Sequence, residues 1–231
     1  MGLRRAPTGA RSEQVEDGRW RQVLAASTAS RRYALSFTTG TLLVREATVV
    51  APLYLDIRDW EQTRDITIER NVLQGRTYRT SVRLAREAVK RLSALVDGEV
   101  ELLADATASE RAHLMWVAAC RRYQFIGEFA EEVVRERFLL LASTLGYEEF
   151  DSFVRTKALW HEELAAIKDS TLLKLRSNVF KMLQEAELLS ETRFILPALL
   201  SERVVAKLDA RMPSDLRFFP TPRLERRGTS Q

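Results

Sequence analysis

Five basic side chains, Arg76, Arg79, Arg83, Arg86 and Lys90, recur at spacings of three and four residues. On one helix, with about 100° of rotation per residue, they fall within roughly an 80° arc. At roughly 1.5 Å rise per residue the row is about 20 Å long. A rail of this kind fits the phosphates of a nucleic-acid duplex. Each neutralised phosphate releases counterions, so affinity should fall steeply with salt. Arginine also permits bidentate contacts to phosphate or guanine. Val82, Ala85, Ala88, Val89, Leu92 and Leu95 fall on the opposite side and are the expected core face. The plainer reading is a solvated face whose arginines pair with Glu69, Glu87 or the five acids of residues 97–110.

A second constellation lies at residues 168–200. The order predicted there is helix, polar break, helix, then a short ribbon. Lys174, Ser177, Asn178 and Lys181 share one polar face, opposite Leu172, Leu175, Val179, Met182, Leu183 and Ala186. This order resembles a winged helix-turn-helix, whose second helix enters a major groove and whose ribbon touches the backbone. Leu188–Ser190 and Arg193–Leu196 would form the ribbon, with Arg193 in the wing. The plainer reading is a helical hairpin that only packs. The break at 75–77, between two predicted helices, likewise has the form of a helix-turn-helix.

Catalytic constellations are weak. Glu110-x-x-His113 has the spacing of half a di-iron carboxylate site, but His161 has no Glu three residues before it. His161-Glu162-Glu163 is not the zinc-protease pattern. Cys120 sits in an apolar run and is expected as a buried small hydrophobe. Phosphate-loop, dinucleotide and nucleophile-elbow glycine motifs are missing from the sequence. A non-enzymatic protein with neither cofactor nor metal is therefore expected. The aromatics Trp116, Tyr123, Phe125, Phe129, Phe138, Phe150, Phe153 and Trp160 have helical spacing and are expected in the core first.

The elements that must position these residues follow from punctuation. Between the prolines at 52 and 197 there is no other, and glycine occurs only at 75, 98, 127 and 146. Such a stretch reads as consecutive helices. Pro52 is expected to kink or end the first helix, and Gly75 to close the second in a left-handed conformation. Thr77 or Thr80 should cap the third helix, and Thr107-x-x-Glu110 is a capping box for a later one. Further helices are expected over 126–145, 148–168, 171–187 and 201–210. The 231 residues carry a net charge of +4, but 76–92 alone holds six bases against one acid. Residues 128–151 hold seven acids against two bases, a solvated or protein-docking face that would repel nucleic acid. One cysteine excludes an internal disulfide. No apolar run approaches the roughly 20 residues of a membrane span. The opening residues lack the apolar region of a secretory signal, so the cytoplasm is the expected compartment.

Three stretches together resemble a known family. They are Tyr33-x-x-Ser36-Phe37-Thr38-x-Gly40-x-Leu42-Leu43; Leu53-Tyr54-Leu55 with Asp59-Trp60 and Asn71-Val72-Leu73-Gln74 leading into Arg76-Thr77; and Leu114-x-Trp116-x-Ala118-x-Cys120-Arg121-x-Tyr123-x-Phe125-Ile126-x-Glu128-Phe129. The pattern resembles the BrxA family of BREX bacteriophage-exclusion systems over roughly residues 33–210. The resemblance implies a small, mostly helical protein that binds double-stranded DNA through winged-helix-like modules. BREX systems mark host DNA by adenine methylation and block replication of unmarked phage DNA. Similarity of the family to the NusB antitermination fold implies RNA as a less favoured partner.

The expectation is an all-α multi-helix bundle with winged-helix-turn-helix-like modules and one short β-ribbon. Its parts are a flexible basic arm at 1–32, a helical N-terminal module at 33–145, a C-terminal winged-helix-like module at 146–212 and a tail at 213–231. Three functions stand in order. The first is a double-stranded-DNA-binding accessory protein of weak or no sequence specificity. The second is an adaptor docking other BREX components, such as the methyltransferase or ATPase. The third is an RNA-binding antitermination-type factor.

Overall fold

The computed structural model describes residues 32–37 and 39–222. The expected basic arm, apart from Arg32, lies outside the described residues, as do residues 223–231. The order is α1 Val44–Ile57, α2 Trp60–Glu69, α3 Tyr78–Leu92, α4 Asp97–Ala104, α5 Ala108–Arg122 and α6 Gln124–Phe129. A π-helical stretch, Ala130–Arg135, runs straight into α7 Glu136–Leu139. Then come α8 Tyr147–Ala158, α9 Glu162–Ala165, α10 Asp169–Glu185, α11 Glu202–Asp209 and a 3₁₀ turn, Asp215–Phe218. The fold is all-helical among the described residues.

The bundle is built around α5. Residues 112–120 are all buried, so this helix is enclosed on every side. It packs against α1, α3, α4, α6, α10 and the 3₁₀ turn. Its start is fixed by the expected capping box. Thr107 Oγ1 accepts from the Glu110 N–H, and the Glu110 carboxylate accepts from the Thr107 N–H. A second aromatic cluster, Phe125, Phe129, Phe150 and Phe153, locks α6 to α8 through edge-to-face pairs at 5.3–5.8 Å.

Several boundaries differ from those read in the sequence. Pro52 does not end α1, which runs on to Ile57 and closes with Arg58 in the left-handed region. Gly75 is not left-handed; Asn71 and Gln74 take the positive φ values that close the turn after α2. A Cβ on Gly75 would lie 2.2 Å from Ser81 Oγ and 2.8 Å from Ser81 N, so close approach requires glycine there. The expected helix over 148–168 divides at 159–161, and Trp160 emerges 78% exposed instead of joining the core. Residues 213–222, expected to open a tail, are packed. Leu216, Phe218 and Phe219 are buried, and Trp116 Nε1 donates to the Phe218 carbonyl at 3.0 Å.

The ribbon expected at 188–196 takes the form of isolated antiparallel bridges, Leu189 with Ile195 and Thr144 with Phe194. The described residues form no strand longer than that. The Ser190 N–H and hydroxyl and Gln184 fold the segment into a tight turn, with Arg193 at φ 66°. Pairing with residue 144 on one side and 189 on the other leaves no length for a two-stranded ladder.

Candidate nucleic-acid interface

Four of the five rail residues, Arg79, Arg83, Arg86 and Lys90, lie on α3; Arg76, expected on the same helix, precedes the extended Thr77 cap and stands outside it. Thr77 caps the helix, its hydroxyl oxygen accepting from the Thr80 N–H at 3.2 Å. The capped start and the buried face together set the helix rotation. Ala85, Ala88, Val89, Leu92 and Leu95 are buried and Val82 is half-buried. Arg76, Arg79, Arg83, Arg86 and Lys90 are all exposed. A groove of about 380 Å³ follows this face, lined by Ser36, Arg79, Val82, Arg83, Arg86, Glu87 and Lys90.

None of the five forms an ion pair with a described acidic residue. Nearly all the acids that could have neutralised them are bound elsewhere. Glu87 is buried, accepting from Arg91 Nε at 3.0 Å and from the Tyr123 hydroxyl at 2.7 Å. Asp97 and Glu101 pair with Arg58. Glu99 holds Arg121, which also grips Asp215. Asp105 and Glu110 take Arg203. Five acids of the 97–110 block are thus occupied by arginines from α1, α5 and α11 or their ends. The α3 face together with Arg76 beside its start keeps a local charge of +5, uncompensated at contact range.

Arg91, the fifth base of this helix, is wholly buried and faces inward. Its guanidinium donates to the Thr41 carbonyl at 2.5 Å and to the Thr39 carbonyl and hydroxyl at 3.3 and 3.2 Å. It ties a strap without regular secondary structure, residues 32–37 and 39–42, against α3. Sequence spacing gave no signal for this. Arg91 falls one residue after Lys90, and its partners lie 50 and 52 positions earlier.

On α10, Lys174, Ser177 and Lys181 are exposed. Lys181 Nζ lies 4.0 Å from Glu185, whose other oxygen accepts from the Leu42 N–H. Asn178 is half-buried and donates to the Phe37 carbonyl at 3.4 Å, so it faces the strap. Arg193 is exposed, its guanidinium 5.0 Å from the Tyr147 ring centroid, and Arg176 lies over the same ring at 4.4 Å. Arg176 also pairs with Asp151 at 2.7 Å. Neither Tyr147 nor Arg176 was singled out by the sequence reading.

The residues with catalytic spacing are committed to structure. Glu110 accepts from Arg203, Ser201 and the Thr107 N–H, and the Arg203 guanidinium above all holds its carboxyl well below the usual carboxylate range. Burial lowers the His113 pKa. Burial likewise pushes the Cys120 thiol well above its ordinary value, which opposes thiolate formation. No group of three or more metal-ligating side chains converges among the described residues.

Comparison with known protein families matches residues 31–212 to BrxA. The chain belongs to the BrxA family. Two relatives are each named "BREX protein BrxA". One, from Escherichia coli O9:H4 (strain HS), is 29% identical over 147 residues, covering 64% of this chain and 69% of the relative. The other, from Paramagnetospirillum magneticum (strain ATCC 700264 / AMB-1), is 24% identical over 165 residues, covering 71% and 83%. A crystal structure of an uncharacterized protein from Magnetospirillum magneticum superposes with a TM-score of 0.70 at 22% identity. It covers 82% of this chain and all of that one, a likeness of fold. The BrxA match spans every element from α1 to α11, together with both basic arrays. No described helix is long and apolar enough to cross a membrane.

Proposed function

We propose that this BrxA-family chain is a non-enzymatic accessory protein of a BREX phage-defence system that binds double-stranded DNA with weak or no sequence specificity. The observation that carries the reading is the α3 rail. Arg79, Arg83, Arg86 and Lys90 are exposed on one face of the helix, Arg76 is exposed just before its cap, and none of the five has an acidic partner among the described residues. Arg76, Arg79, Arg83, Arg86 and Lys90 contact phosphates. Such contacts set position and affinity without reading bases. Lys174, Ser177 and Lys181 line the duplex from α10, with Asn178 at the edge of that row and Arg193 at the turn. The α9–α10 pair and the following turn act as a winged-helix-like unit, with the turn as a minimal wing. The protein works in the cytoplasm, where its DNA partner resides.

Duplex titration with the triple reversal Arg79→Glu, Arg83→Glu, Arg86→Glu tests this. Affinity should fall at least 100-fold with the fold intact by circular dichroism. Unchanged affinity would remove the rail from the interface. Competition between a B-form DNA and an A-form RNA duplex at equal salt separates the DNA role from an RNA role, because the grooves differ.

A docking role for other BREX proteins, such as the methyltransferase or ATPase, is the second reading. It is favoured by Leu159 and Trp160, 75% and 78% exposed beside a hollow that Ala158, Ala165 and Ala166 help to line. An exposed tryptophan beside an apolar hollow has the form of a binding hot spot. Trp160→Ala should abolish co-purification with either partner and leave duplex affinity unchanged.

A further inference from the structure

The strap joins the two basic arrays. Ser36 lines the α3 groove together with Arg79, Arg83, Arg86 and Lys90. One residue later, the Phe37 carbonyl accepts from Asn178 of α10. Arg91 of α3 then holds Thr39 and Thr41, and Glu185 of α10 takes the Leu42 N–H at 2.6 Å. Gly40 lies so close to α10 that a Cβ there would come 2.3 Å from Asn178 Oδ1. Strap contacts therefore alternate between the two helices along a few residues.

The helix faces agree. On α10, Asn178 and Glu185 point at the strap, and Lys174 and Lys181 lie within about 60° of them around the axis. On α3, Arg91 and Glu87 form the strap side, and the rail lies about 90° further round. The arginine row thus borders the strap on one side and the lysine row on the other. The strap residues between them bring no acid. Ala34 and Ser36 are exposed, and Arg32 is exposed and basic.

We propose that the strap is the floor of a single nucleic-acid track, bordered by the α3 arginines and the α10 lysines, so that one duplex engages both rows at once. This rests on the DNA-binding reading above. Ser36 becomes a further contact residue, donating its hydroxyl to a phosphate. Asn178 becomes a positioning residue that seats the strap instead of reading bases. One duplex bridging both rows neutralises phosphates on both sides of a groove, so the two rows act in one binding event.

The test is a double-mutant cycle on the full chain with a duplex of about 12 base pairs, read by stoichiometry and by salt dependence. The variants are Arg79→Ala with Arg83→Ala, Lys174→Ala with Lys181→Ala, and all four. A single track gives one duplex per protein. Each pair of substitutions then weakens that same event roughly tenfold or more and lowers the salt slope by about two. Asn178→Ala, which removes no charge, should weaken binding with the salt slope unchanged. Two duplexes per protein, with each pair abolishing one of them, would overturn the single track. Binding that the arginine pair weakens and the lysine pair does not would overturn it too, while leaving the DNA-binding reading in place. No binding by the unsubstituted protein at low salt would defeat both.

Discussion

The exposed arginines of α3 and those of the α4–α5 region come from one chain and do opposite things. Around α4 and α5, Arg58, Arg121 and Arg203 each meet two acids, and Arg121 is only 8% exposed beside Glu99 and Asp215 at 1% and 4%. On α3, Arg79, Arg83 and Arg86 meet none among the described residues. Composition does not separate the two groups; pairing does. A guanidinium locked between buried carboxylates sets the architecture, because removing it strands charge in the interior. An exposed row of unpaired guanidiniums adds self-repulsion and no internal contact, which leaves it available to an anionic partner.

The comparison breaks most sharply at Arg121. Arg121→Ala leaves Glu99 buried without its cation and Asp215 with only the longer contacts to Arg211 and Arg217 at 3.7 and 4.0 Å, and should cost about 3–5 kcal/mol, read as the loss in a urea or thermal unfolding curve. A change below about 1 kcal/mol would make the network dispensable. The same measurement on Arg79→Ala, Arg83→Ala or Arg86→Ala should stay within about 0.5 kcal/mol of the unsubstituted protein, since these side chains touch no described acid.

Glu110 sharpens the contrast through pH. Its carboxyl is held below the ordinary value of 4.5, first by Arg203, then by Ser201 and Thr107. A depressed folded-state pKa stabilises the protein above the unfolded value and loses that contribution as pH falls below it. Glu110→Gln should therefore be less stable than the unsubstituted protein at pH 7. The difference should shrink as pH drops from about 5 toward 2. A difference independent of pH would mean that the charge on Glu110 contributes nothing. The smallest effect belongs to the α3 cap. Thr77→Ala should cost about 1 kcal/mol, and its effect on duplex affinity should be slight because the rail residues remain on the helix.

The same contrast separates what was legible in the sequence from what was not. The α3 rail and its apolar face were legible because both obey one local period, as were the Thr77 cap and the Thr107–Glu110 box. The two ways in which α3 is used were not. Glu87 and Arg91 have the i,i+4 spacing of a helix pair, but that the pair turns inward depends on Tyr123, 36 residues away, and no spacing reports this. Asn178 shares a period with Lys174 and Lys181, yet it faces the strap, 141 residues earlier in the chain. The packing of residues 213–222 was hidden for a similar reason. Three prolines read as a tail, but Leu216, Phe218 and Phe219 bury against a core that only tertiary structure supplies. Gly75 has the sequence context of a left-handed helix end, yet it does not take that conformation. Contact with Ser81, not a positive φ, requires glycine there.

The central claim is that the unpaired α3 face is a phosphate-binding surface. The most direct measurement is the salt dependence of duplex affinity by fluorescence anisotropy, for the unsubstituted protein and for Arg79→Ala, Arg83→Ala, Arg86→Ala together. A logarithmic slope of about −4 or steeper is expected, falling in magnitude by about three in the triple variant. Equal slopes for the two proteins, or an affinity indifferent to salt, would contradict the account.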